Sequence, residues 1–373
     1  NNTTEVANNY IALQSLTDRV SKVEGVWTNV DCSGDDQAFK AAYDAGFKRI
    51  YISVGQCLAD FEIRPGETVF LTGNGIGSGI RTVGWFGSNN SNLTIRDLSI
   101  VGNLMAKDGA TIGVWNSDID CSNTPGTSGI DLWGSVRGYI NDSSITGCVG
   151  VHVGLGSTIS IGNSVFNTPK NLPSVKINQT SAAIAENLTI NRTDAAIVGV
   201  SNAIEVVDNS TFDMTVGSFS GKAWIDSNSQ LKMNSTVWNA NLDEIKNMHV
   251  GRNSNAKFGN VDLSNSSINT YINSNVFLDG YAAATYNLTN FSLFLQHSTV
   301  ELFGPIAAIN SNIDLQEGSF ATMRNFTGSQ VSNDFNVSIG RYSILTVDVS
   351  VDHLGAVTCV SGALSLDADA CLP

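Results

Sequence analysis

The chain has 373 residues, 34 acidic against 20 basic side chains and a formal net charge of −14, a balance that argues against nucleic acid and anionic membranes as partners. No uncharged apolar run reaches the ~18 residues that a spanning helix needs, so membrane insertion is excluded as well. With 35 Gly, 6 Pro, 14% charged residues and abundant Ser, Thr and Asn, the composition suits many short strands joined by turns, an all-β chain.

The chain opens on a helical pattern. Val6, Asn9, Leu13, Leu16, Val20, Val23 and Trp27 follow an unbroken 3-4 spacing, the seam of a short coiled coil. Arg19-Val20-Ser21-Lys22-Val23-Glu24 resembles the Arg-apolar-x-x-apolar-Glu pattern of three-stranded coiled coils, where Arg of one chain bridges to Glu of its neighbour. Residues 1–27 are therefore expected to form the stalk of a homotrimer, with a single amphipathic helix capping its own domain as the alternative. Next, Asp35 is placed as the N-cap of a helix that sets Ala38, Phe39, Ala42 and Tyr43 on one side and closes at Gly46. A strand and turn follow over 47–57. A helix here would cover the first coil of a solenoid, whose strand edges are otherwise bare.

A ladder then runs through the chain. Asp97, Asn116, Asp142, Asn163, Asn187, Asn209, Asn234, Asn265 and His297 each open a short cassette, reading DLSI, NSDI, DSSI, NSVF, NLTI, NSTF, NSTV, NSSI and HSTV. Taken as equivalent positions they predict stacked coils, with Asn at a sharp bend and Ile100, Ile119, Ile145, Phe166, Ile190, Phe212, Val237, Ile268 and Val300 as one buried column. The sequons at Asn187, Asn209, Asn234 and Asn265 fall on the ladder, so their amides are expected to be engaged by the stack rather than glycosylated.

The opening DDQAFKAAYDAGFKRIYISVGQ and the coil pattern after it resemble the phage tailspikes and related pectate-lyase-like proteins, over residues 28–300. That resemblance implies a right-handed parallel β-helix in a homotrimer that recognises, and often cleaves, a bacterial surface polysaccharide, on a virion or outside the cell. It carries over no catalytic signature. Asn1 opens the chain without a Met or signal peptide, so it is expected to be trimmed of a particle-attachment domain. Residues 28–300 are read as capping helix and β-helix; residues 301–373, where the rhythm fails, are read as a β-rich terminating or trimerisation region.

Register also pairs two of the six cysteines. Cys121 and Cys148 fall at nearly the same place on adjacent coils, inside disulfide range, while Cys32 with Cys57 and Cys359 with Cys371 complete the set of local pairs. All three would require an oxidising exterior; buried free thiols are the alternative.

Candidate chemistry follows from which side chains alternate outward. Strands at 129–133, 150–153 and 174–177 bury Ile130, Leu132, Val151, Val153, Val175 and Ile177. They leave Asp131, His152 and Lys176 stacked outside, one coil apart, with Trp133 as an apolar plate for a sugar ring. Around Trp115, the carboxylates of Asp118 and Asp120 flank an inward Ile119 at the separation of an inverting glycosidase pair, with Trp115 beside them. Asp118, Asp120, Asp131 and His152 are thus candidate acids and bases, and Trp115, Trp133 and Lys176 candidate substrate contacts. A solvated, edge-protecting face is the plain alternative. Without HExxH, CxxC or a glycine-rich phosphate loop, no metal or cofactor is expected. Two functions remain: a polysaccharide depolymerase, hydrolase or lyase, and a spike or adhesin that binds glycan without cutting it.

Overall fold

The structure, a computed structural model, describes residues 26–82, 84–87, 89–124, 126–193, 201–239, 246–279, 286–304, 306–324, 335–347, 357–359 and 364–365. These wind into a parallel β-solenoid of about 12 coils with almost no helix. Each coil lays strands on three faces. The first and second belong to a 19-stranded sheet bent over a sharp corner, and the third is a 13-stranded sheet. The stalk expected over 1–27 lies outside the described residues except for Val26 and Trp27.

Helix α1 (Ala38–Asp44) buries Phe39 and Tyr43 in the core at the start of the solenoid. Its N-cap is Gln37 rather than Asp35, whose carboxylate instead accepts the Gln37 N–H at 2.9 Å; Gly46 leaves the helix at φ 99° as expected. The Tyr43 hydroxyl donates to Glu67 at 2.5 Å and accepts the Arg64 N–H at 2.7 Å. Burial and the Glu67 carboxylate push its phenol up to about 12. The helix is thereby pinned to the strands beneath it.

From Asp97 to Asn187 the ladder has the expected register. Asp97, Asn116, Asp142, Asn163 and Asn187 all hold left-handed φ between 42° and 56° at the first corner, and Asn187 Nδ2 donates to Asn163 Oδ1 at 3.0 Å. Ile100, Ile119, Ile145, Phe166 and Ile190 pair in sequence above them and are at most 2% exposed. Beyond Asn187 the assignment needs correction. The corner passes to Val216 (φ 56°) and Ser235 (φ 49°), and the buried column continues through Phe219 and Trp238. Taking Asn234 instead of Ser235 slips the strand by one residue and turns every side chain over. Val237, expected inside, is therefore 52% exposed, while Phe212 is buried on the first face between Ala183 and Leu231.

Asn209 and His297 belong to a second corner, where left-handed residues precede a buried serine. There the Ser210, Ser229 and Ser254 N–H groups donate to the hydroxyls of Ser229, Ser254 and Ser274 at 3.2, 3.1 and 3.4 Å. One side chain per coil thus satisfies a backbone donor turned away from water. Asn265 sits at a third corner, stacked on Asn290, which donates to it at 2.8 Å. Val216 is the strained member of the first corner, because a β-branched side chain tolerates this backbone poorly. Val216→Asn, matching Asn187 one coil earlier, is expected to stabilise the fold by about 1 kcal/mol, read as a higher thermal midpoint; a lower midpoint would refute the strain.

Two disulfides join adjacent coils as expected, Cys32–Cys57 and Cys121–Cys148, with Cα atoms 5.2 and 5.6 Å apart. The third pair involves Cys371, outside the described residues. The rhythm expected to fail near residue 300 carries on. Val300 pairs with Ala321, Ala321 with Leu345, and Ile344 with Leu364, all in parallel.

Candidate functional site

The third face carries the first of the two candidate clusters. Its strands bury both flanking residues and push one central side chain outward per coil, so Met105, Asp131, His152, Lys176, Glu205, Trp224, His249, Asn269, Phe294 and Asp314 align in register. Neighbours in this column stand about 4.8 Å apart along the axis. Asp131, His152 and Lys176 are stacked one coil apart, as the alternation predicts.

His152 Nδ1 lies 3.0 Å from Asp131 Oδ1, with the two side chains only 12% and 16% exposed. The contact is not a hydrogen bond: Asp131 Oδ1 and His152 Nε2 are both buried without a hydrogen-bond partner. Trp133 meets the imidazole edge-on, ring centroids 4.8 Å apart at 87°. Gly154, opposite Trp133 on the next coil, makes the space: a methyl there would stand 3.3 Å from the indole and 2.9 Å from Asn178 Oδ1. Glu205 accepts the Asn202 amide at 3.1 Å.

The other candidates lie elsewhere. Asp118 and Asp120 project from the second face, where Asp118 accepts Ser144 Oγ at 2.6 Å and Asp120 accepts the Ser122 N–H and Oγ at 3.0 and 2.6 Å. Trp115 is on the first face, folded back over Gly113 with the Arg96 guanidinium 5.8 Å from its ring. The two clusters are therefore not one site, and Trp115 does not stand beside Trp133.

Further down the third face is a group the sequence reading missed. Trp224 stacks on His249 at 3.8 Å and 9°, His249 on Tyr271 at 5.1 Å and 26°, and Tyr271 leans on Phe294 at 5.7 Å. Asp226, 3% exposed, receives Arg252 Nε on both oxygens at 2.9 and 3.0 Å and the Ser227 N–H at 2.7 Å. Burial alone would raise the Asp226 carboxyl, but the Arg252 and Ser227 hydrogen bonds hold it below its ordinary range. Burial keeps the His249 imidazole below its usual value against the opposing pull of Asp226, which favours the neutral ring. The signal was present: the apolar-x-apolar triplets Ala223-Trp224-Ile225, Met248-His249-Val250 and Leu293-Phe294-Leu295 continue the alternation that identified Asp131 and His152.

Among the described residues no group of three His, Cys, Asp or Glu side chains could hold a metal ion, and no helix is long and apolar enough to cross a membrane. No family model matches the chain, and no curated protein does. Among solved structures, the catalytic domain of a GH87 α-1,3-glucanase in complex with nigerose aligns over 90% of this chain and 68% of its own, at 14% identity and a TM-score of 0.35. ORF18 of Geobacillus virus E2 aligns over 91% of this chain and 64% of its own, at 13% identity and a TM-score of 0.31. Likenesses this weak transfer neither a residue nor a substrate.

Proposed function

We propose that this chain is the shaft of a virion spike that recognises a bacterial surface polysaccharide along its third face and depolymerises it there. The observation that carries the enzymatic part is the Asp131–His152 pair packed under Trp133. The Asp131 carboxylate packs beside the ring, and the unpartnered Nε2 is the atom that would take a proton and return it to the leaving oxygen. Trp133 offers an apolar plate to a sugar ring, and Lys176 stands on the next coil. The virion and trimer parts rest on the resemblance of the opening segment and on the heptad spacing of the first 27 residues.

A second reading, glycan binding without cleavage, is favoured by the Trp224, His249, Tyr271 and Phe294 strip. It offers stacked aromatic surface beside a carboxylate already locked by Arg252. Host-derived capsular and O-polysaccharides decide between the two. Cleavage gives new reducing ends or the ultraviolet absorbance of an unsaturated uronic product, from particles with the light-scattering mass of three chains. Binding without product from any glycan supports the second reading, and a monomer mass removes the trimer.

A further inference from the structure

We infer that the third face between Trp133 and Trp224 selects an anionic polysaccharide and holds its acidic groups on Lys176 and Lys222. This rests on the proposed reading of that face as the glycan site, and it adds the charge class of the substrate.

The argument starts from where the lysines go. In a chain with 34 acidic residues, a lysine on the surface readily finds a carboxylate. Lys40, Lys48, Lys107, Lys232 and Lys257 each have one within 4.0 Å, and Lys246 donates to the Ser264 carbonyl at 2.9 Å. Lys170 is engaged too. Lys176 and Lys222 are different: among the described residues neither ammonium has a carboxylate partner. Both are on the third face. Val175 and Ile177 are buried around Lys176, as are Ala223 and Ile225 around Trp224, so Lys176, Lys222 and Trp224 all point outward.

The acids nearby are turned to other partners. Asp131 faces His152, Glu205 accepts from Asn202, and Glu62 faces Lys107. Glu205 is opposite Lys176 in the register and Asn202 opposite Lys222, yet the carboxylate bonds the amide, and neither ammonium has a carboxylate within 4.0 Å among the described residues. From Trp133's coil to Trp224's there are four steps, roughly 19 Å, walled by an indole at either end. The two lysines are two coils apart and two residues across, roughly 12 Å. An acidic chain charged on alternate sugars can reach both.

The test is affinity electrophoresis of the full chain in gels containing alginate, dextran sulfate or neutral dextran. Retardation is expected with alginate or dextran sulfate, weakened by salt, and the difference between those two gels separates carboxylate from sulfate recognition. Lys176→Met with Lys222→Met is expected to weaken the apparent affinity at least tenfold with an unchanged melting midpoint, since neither ammonium holds a protein group. Retardation by neutral dextran alone, or a double variant that binds anionic chains as the native protein does, overturns the selectivity while the glycan reading stands. No retardation in any gel overturns the selectivity, and Trp133→Ala and Trp224→Ala variants that bind host capsule normally would sink the glycan reading itself.

Discussion

His152→Ala is expected to lower turnover of the cleaved polysaccharide by about 10²–10⁴-fold while the substrate concentration at half-saturation changes little. The imidazole lies 3.0 Å from the Asp131 carboxylate through Nδ1, and its Nε2 is buried without a hydrogen-bond partner. Asp131→Asn is expected to lower turnover as well, because it removes the carboxylate that faces the ring at 3.0 Å. A flattened acid limb in the pH–rate profile of His152→Ala would mark the loss of a titrating group rather than of packing. Turnover within threefold of native, with normal binding, would remove His152 from the chemistry and leave the face as a binding surface.

Trp238→Ala is expected to destabilise the solenoid by about 3–5 kcal/mol, measured from the denaturant midpoint at unchanged slope. The indole is 1% exposed, stacks on Phe219 with centroids 5.2 Å apart, and donates its N–H to the Gly221 carbonyl at 2.9 Å. Truncation opens a cavity the coils above and below cannot close, and it orphans a buried acceptor. Val237→Ala, one residue away but 52% exposed, is expected to cost less than about 0.5 kcal/mol. The pair tests the register directly. Equal effects, or a larger one at Val237, would mean the strand faces the other way.

That contrast also marks how far the fold was legible. Stacked coils, the capping helix, two disulfides and the outward placement of Asp131, His152 and Lys176 all follow from apolar alternation and one corner rich in Asx residues. What failed was the assumption that every Asn-Ser cassette marks the same corner. Three corners need left-handed residues, and Asn suits each of them, so Asn209, Asn265 and His297 looked like further rungs of a ladder they do not share. At Val216 the chain puts a β-branched residue where Asn was expected, and the cassette search stepped past it. The site was only half legible for a related reason. Asp118 and Asp131, read as members of two separate clusters, lie on strands that a corner separates. The aromatic strip needed the same alternation to be followed for more coils.

The serines of the second corner make shaft length a discrete variable. From Ser181 to Ser274 four successive joints repeat one arrangement, each serine N–H meeting the hydroxyl of the next. Excising residues 210–228 would join Asn209 to Ser229 and let the Ser181 N–H, which now meets the Ser210 hydroxyl, meet that of Ser229 instead. A gene encoding such a chain can lengthen or shorten its reach in whole coils and leave no orphaned backbone group at the seam. The two ends of the solenoid are thereby moved apart or together in whole-coil steps without redesigning either.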